Sequence, residues 1–188
     1  MPIYIIEHLE PEVYPWCLIE YRNISKIVGK SSLWFTNIKK KNKDLEKLGR
    51  INSSSVSKMN LKNACVLDPE TPRCLTPREA KNFDYFIFGG ILGDYPPRKR
   101  TTPELTSKIK NSQVRNIGKK QFSTDNAVLV TKKIFDGFPL SKMRFIDKLI
   151  IRINDIESIE LPYHYPIING KSQISNELVN FLKNKKGF

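Results

Sequence analysis

FDYFIFGGILGDYPPRKRTT, residues 83–102, is the stretch on which the fold turns. An apolar run over residues 85–88 stops at the Gly89-Gly90 pair and resumes for Ile91 and Leu92. Gly93-Asp94, an aromatic residue, two prolines and three consecutive basic residues follow. The apolar run reads as a strand buried on both faces. Glycine loses the most conformational freedom on folding, so three glycines within five residues need a reason. A tight turn is one. Close approach of the main chain to a ligand is the other, with N–H and C=O groups doing the recognising. Pro96-Pro97 stiffens the exit and Asp94 adds a carboxylate.

The neighbouring segments extend this reading. Upstream, residues 64–67 form a second unalternating apolar run, ended by Asp68-Pro69. Thr76-Pro77-Arg78-Glu79 has the spacing of a capping box and starts a short helix. Downstream, Thr102-Pro103 opens a helix to about residue 110, and 113–117 is a strand. Ser123 or Thr124 caps a helix that reaches Phe135. At the N-terminus, residues 4–6 are a strand and 10–13 a turn. Residues 15–28 form an amphipathic helix with Pro15 in its first turn and Gly29 just past its end. Residues 32–38 read as a strand, 39–49 as a charged helix stopped by Gly49, and 51–60 as a Ser-rich loop. Towards the C-terminus, 144–151 is a strand, 161–168 a loop or short strand, and 174–182 a helix. Strands alternating with helices predict an α/β domain built on a mainly parallel sheet. Ligands of such sheets bind outside the carboxyl ends of the strands. That rule selects the loops after Phe88, after Ile117 and after the first strand.

The chain carries 32 Lys and Arg against 19 Asp and Glu, a formal net charge of +13. Such a surplus favours polyanionic partners. Much of it is scattered singly, as on a solvated surface. Residues 97–120 are denser: Arg98, Lys99, Arg100, Lys108, Lys110, Arg115, Lys119 and Lys120 stand against Glu104 alone. The three cysteines, 17, 65 and 74, form no C-x-x-C pair and point to a reducing compartment. Two histidines do not make a His-rich zinc site. No apolar run approaches a membrane span of roughly 20 residues. With no signal-peptide pattern, the expectation is a soluble, cytoplasmic protein.

Several motifs fail on inspection. Gly29-Lys30-Ser31 and Gly170-Lys171-Ser172 look like the tail of a phosphate-binding P-loop, which needs a Gly five residues earlier; Ile24 and Tyr165 stand there. Residues 89–93 lack G-x-G-x-x-G spacing. No Ser-His-Asp or Cys-His set emerges, and His8, beside Glu7, is the candidate base. The second loop, Ile117-Gly118-Lys119-Lys120-Gln121-Phe122-Ser123-Thr124-Asp125, leaves a strand and enters a helix whose N-terminus suits polar or anionic groups.

FDYFIFGGILGDYPPRKRT, with CVLDP upstream, IGKKQFSTDNAV downstream, YIIEHLE at the start and FID…ESIELPYHYP late in the chain, resembles the SPOUT-class protein arginine methyltransferase family. The resemblance runs from Tyr4 to about Ile168. It implies one domain over 1–188, with 182–188 as a flexible tail. The implied fold is α/β, a parallel-sheet SPOUT fold with a deep trefoil knot near the C-terminus. The implied methyl donor is S-adenosylmethionine (SAM), with no metal. Its implied binding residues are Leu67, Gly89, Gly90, Ile91, Leu92, Gly93 and Asp94, then Gly118, Gln121, Ser123, Thr124 and Asp125, then Leu161, Pro162 and Tyr163. Catalytic roles fall to Glu7, His8 and Asp94, since a guanidinium needs carboxylates to orient it; Asp125 is a further candidate carboxylate. The implied substrate is an arginine of a small-subunit ribosomal protein, with rRNA contact through the eight basic residues of 97–120. An RNA methyltransferase is the alternative, because the basic stripe on its own favours RNA. A monomer is expected.

Overall fold

A computed structural model gives the structure of the protein and describes residues 1–184. Elements follow in the order β1 (Ile3–His8), α1 (Pro15–Val28), β2 (Leu33–Thr36), α2 (Lys43–Leu48), β3 (Arg50–Ile51), β4 (Ala64–Leu67), α3 (Pro77–Ala80) and β5 (Tyr85–Gly90). Then come α4 (Thr101–Glu104), β6 (Gln113–Arg115), α5 (Thr124–Phe135), β7 (Arg144–Ile146), β8 (Leu149–Arg152), β9 (Ser158–Leu161), β10 (Tyr165–Ile168), β11 (Lys171–Ser172) and α6 (Asn176–Asn184). Six strands form one parallel sheet in the order β3-β2-β1-β5-β4-β6. The central strands are apolar on both faces because both faces are covered. Tyr4, Ile6, Phe86 and Phe88 pack under Tyr21 and Ile24 of α1 and Val128 and Ile134 of α5. Ile5, Val66 and Ile87 point the other way, onto Val56 and Leu105. Among the described residues no helix is long and apolar enough to cross a membrane.

The chain after α5 packs on the far side of α1. Ile151, Leu161, Tyr165, Leu178 and Leu182 gather around Ile19, with Trp16 at the margin. This second apolar contact explains why α1 is apolar over a wide arc. Of the expected tail 182–188, residues 182–184 are the end of α6, where Leu182 is buried; residues 185–188 lie outside the described residues.

Four expected elements change, each through a non-local contact. The strand expected over 144–151 is two strands in different sheets: β7 pairs with β10 and β8 with β9, all antiparallel. Asp147, between them, turns to Lys120 and His164. The helix expected from 102 to about 110 is one α turn and one 3-10 turn, broken at Leu105 (φ −122°, ψ −67°), which is drawn into the core below the sheet. The helix expected over 39–49 begins only at Lys43, where the Asn42 side chain caps it by accepting from the Asp44 and Leu45 amides. The residues before it run alongside 52–54 instead. Within the expected loop 51–60, Ile51 belongs to β3 and residues 56–58 form a 3-10 turn.

Candidate active site

At the carboxyl ends of β4, β5 and β6 lies a cavity of about 600 Å³. That volume is within the range of roughly 300–1,000 Å³ typical of small-molecule sites. Its walls are largely apolar: Leu67, Phe88, Ile91, Leu92, Ile117, Phe122 and Ala127. The three loops that the resemblance singled out meet here and are tied to one another. The Tyr163 hydroxyl donates to the Gly93 carbonyl at 3.2 Å, and the Gln121 side-chain amide donates to the Asp94 carbonyl at 3.4 Å. The His164 amide donates to the Gln121 carbonyl at 2.8 Å.

The glycines differ in what they do. A Cβ on Gly93 would lie 2.4 Å from the Tyr163 ring and 2.5 Å from Gln121 Nε2, so its absence lets the loops close. A Cβ on Gly90 would lie 2.4 Å from the Tyr21 hydroxyl; this glycine serves the packing of α1 and does not line the cavity. Gly89 lines it. None of the three has positive φ, so the run is extended backbone rather than a turn; Gly118, at φ 112°, is the left-handed one.

Of the residues that the resemblance assigned to the donor, Leu67, Gly89, Ile91, Leu92, Gly93, Asp94, Gly118, Gln121, Thr124 and Pro162 line the cavity. Others are placed elsewhere. Glu7 is buried, and its carboxylate accepts from the Thr36 hydroxyl and from the Val56 amide at 2.9 Å. His8 is buried with Nδ1 2.8 Å from the Tyr21 hydroxyl, and burial lowers its pKa, which favours the neutral ring. Neither lines the cavity, so the structure does not place them at the site where catalytic roles were expected of them. Ser123 and Asp125 also sit behind the wall. Asp125 accepts from Ser123 Oγ at 2.6 Å and from Asn23 Nδ2 at 2.8 Å. The Thr124 amide, at the start of α5, donates to Glu20 at 3.1 Å. The Thr124 amide and the Asn126 amide, which donates to Asp125 at 2.9 Å, are thus held by the protein's own carboxyl groups. Burial and the nearby Asp125 raise the pKa of Glu20 to about 8, and burial raises that of Asp125. Leu161 belongs to the core beside α1, and Tyr163 acts as a brace between loops.

Sequence reasoning missed the residues that hold the glycine loop. Glu10 Oε1 accepts from the Leu92 amide at 2.9 Å and from Arg100 Nη1 at 2.8 Å. Arg100 also grips Glu104 with two bonds. Asp68 accepts from the hydroxyls of Thr102 at 2.7 Å and Thr106 at 2.6 Å, pinning α4 to the end of β4. The opposite wall includes His164, stacked on Phe145 at 4.4 Å and 2.9 Å from Asp147. The acids were visible in the sequence, but nothing local distinguishes them from strand-end and turn residues.

The expected basic stripe is largely ion-paired. Arg98 faces Asp94 at 3.6 Å, Lys99 faces Glu70 at 2.9 Å, and Lys120 faces Asp147 at 2.7 Å. Arg115 is buried against Glu79, which corrects its place in an RNA-facing surface. Lys119 donates to the Thr71 carbonyl, while Lys108 and Lys110 are exposed.

A parallel α/β sheet with an apolar, glycine-walled cavity at its carboxyl edge defines an enzyme-type small-molecule site. The chain belongs to the SFM1-like protein arginine N-methyltransferase family, whose model matches residues 3–187. It is similar to protein arginine N-methyltransferase SFM1 of Saccharomyces cerevisiae, at 34% identity over 96% of this chain and 93% of that protein. A crystal structure of the yeast arginine methyltransferase SFM1 complexed with SAH superposes with a TM-score of 0.88 at 33% identity, covering 96% of this chain and 94% of that one. The same yeast protein complexed with SAM gives 0.88 at 34% identity, covering 97% and 90%.

Proposed function

We propose that the protein is a SAM-dependent protein arginine N-methyltransferase of the SPOUT class whose acceptor is an arginine of a small-subunit ribosomal protein. The observation that carries this reading is the 600 Å³ cavity, walled by three cross-bonded loops in a chain similar over its whole length to an enzyme crystallised with SAM. The residues present fit that cofactor. The apolar walls suit an adenine and a sulfonium, and Gly89 and Gly93 bring main chain to the cavity surface. The lysines of the rim are held in ion pairs or on a carbonyl, so the cavity does not confront the sulfonium with a bare ammonium. When bound, SAM supplies a methyl group on that sulfonium. Phe88, Ile91, Leu92 and Phe122 exclude water around it. Asp94, on the cavity wall, accepts N–H bonds from the incoming guanidinium and orients its nitrogen. Arg98, 74% exposed and 3.6 Å away, is a weak resident partner that such a guanidinium displaces.

The trefoil knot implied by the family resemblance belongs to this reading. A single domain over 1–188 and a monomer in the cytoplasm belong to it as well.

The test uses purified protein, methyl-labelled SAM and small ribosomal subunits from cells lacking the enzyme. Label that survives RNase, is lost to protease and is recovered as methylarginine is the expected result. Label lost to RNase instead would overturn the arginine reading.

A further inference from the structure

Five of the eight cations in residues 97–120 are held in ion pairs: Arg98, Lys99, Arg100, Arg115 and Lys120. A denser group of cations without ion pairs lies elsewhere among the described residues. Residues 37–62 contain eight basic residues, at 39, 40, 41, 43, 47, 50, 58 and 62, against Asp44 and Glu46. All eight are exposed. Among the described residues Lys47 pairs with Asp44, and Lys39, Lys40, Lys41, Lys43 and Lys58 form no ion pair.

These five lysines are gathered in one place. Residues 37–43 follow the carboxyl end of β2, and residues 52–58 follow that of β3. The two segments are laced together: the Asn37 amide donates to the Ser54 carbonyl at 2.9 Å, the Ile38 amide to the Asn52 carbonyl at 3.2 Å, and Lys39 Nζ to the Ser53 carbonyl at 3.0 Å. The Glu7 carboxylate, through the Val56 amide, fastens them to the end of β1. The lysines therefore stand on a braced platform at the same edge of the sheet as the cavity, one strand end away. Glu12, on the β1–α1 loop, is an exposed acid at this edge.

We propose that this platform docks the phosphate backbone of RNA beside the cavity. Lysine with hydroxyl and amide donors is the side-chain set used on phosphates, and Ser53, Ser54 and Ser57 are exposed among the lysines. An acidic protein is the poorer occupant. Protein interfaces are depleted in lysine and anchored by aromatic and apolar side chains, and the exposed large apolar residues, Met1, Tyr95, Phe138, Ile146, Ile150 and Ile156, all lie outside residues 37–62. The platform is independent of which group is methylated. Its role is to hold an RNA-bearing assembly while an acceptor reaches the cavity.

Fluorescence anisotropy of a labelled RNA hairpin, titrated with the full-length protein at several salt concentrations, tests the proposal. Five phosphate contacts give a log–log salt slope of about −3.5 to −4.5, which is about a hundred- to five-hundredfold weaker binding at 200 than at 50 mM salt. The variant with Lys39→Gln, Lys40→Gln and Lys41→Gln should lose about 2 to 3 units of that slope. A Lys108→Gln, Lys110→Gln variant should keep it. Circular dichroism checks that both variants are folded. Absence of hairpin binding, or an unchanged slope in the triple variant, overturns the proposal. So does a polyglutamate peptide that binds the platform as well as the hairpin does, which would assign it to an acidic protein. RNA binding is read whether or not methyl transfer occurs, so failure of the arginine reading leaves this test intact.

Discussion

β1 and β5 lie side by side, parallel and in register, so that Glu7 stands against Gly89 and His8 against Gly90. The two strand ends behave in opposite ways. At the end of β1 the protein's own side chains close the edge: Glu7 collects Thr36 and Val56, and His8 meets Tyr21. At the end of β5 there are no side chains on the strand to do so. The backbone runs on through Ile91 and Leu92 to Asp94, and loops from β6 and β9 wall the space that remains. Every strand of a parallel sheet has a carboxyl end at this edge. The one that becomes a site is the one its own side chains leave open.

Closing the open end should have the largest effect. Gly93→Val places atoms within contact of Tyr163 and Gln121 that the loops cannot absorb without moving. Overpacking of about 1–3 kcal/mol corresponds to SAM binding weakened about 5- to 150-fold, read by calorimetry. An unchanged Kd would show that the Gly93–Tyr163 closure is not part of the site. Asp94→Asn comes next. Loss of charge-assisted hydrogen bonds worth about 1.5–3 kcal/mol lowers kcat/KM for an arginine peptide about ten- to a hundredfold, with SAM affinity retained. Full activity in this variant would remove Asp94 from the acceptor site.

Opening the closed end should matter less to chemistry than to stability. Glu7→Gln weakens two buried bonds and costs about 1–3 kcal/mol, or a drop of several degrees in Tm, while transfer per folded molecule is unchanged. Lost transfer at an unchanged Tm would return Glu7 to the reaction.

The smallest effect is a pH dependence from the carboxylates behind the wall. Glu20 titrates at about 8 in the folded protein and at an ordinary 4.5 when exposed. The folded state thus holds a proton that the unfolded chain releases between those values, and stability from this group falls as pH rises from 4.5 to about 8. His8 acts in the other direction: its lowered pKa makes stability fall below about 6.5, where the unfolded chain takes up a proton first. Between pH 6.5 and 8 the Glu20 effect stands alone of the two, at up to about 1.4 kcal/mol per pH unit. Tm measured across that window should fall in the wild type and fall less in Glu20→Gln. Identical slopes would show that Glu20 is ionised throughout.

Much of this was legible in residues 83–102 and their surroundings. The strands around Tyr4, Val66 and Ile87 and the helices α1 and α5 announce themselves by local period, because burial on one or two faces writes directly into sequence. The glycine loop announced a site, and the motifs around it announced a family. The three glycines, however, look alike in sequence and serve different neighbours: Tyr21 lies 69 residues from Gly90, and Tyr163 lies 70 residues from Gly93. The basic stripe is a similar case, since a run of cations does not show the acids brought against it from residues 10, 70, 79 and 147.

Sequence alone, then, determined the parallel α/β sheet, the carboxyl-edge location of the site and the kinship of the chain, all of which follow from local patterns of polarity and from motif. Tertiary structure decided which charged residues are free. It buried Glu7, His8 and Asp125 among partners, held Arg100 between Glu10 and Glu104, left Asp94 on the cavity wall and, among the described residues, left five lysines without an ion pair at the neighbouring edge. Whether a charge is paired depends on which distant segment folds against it, and that is set by packing rather than by the residues beside it in the chain.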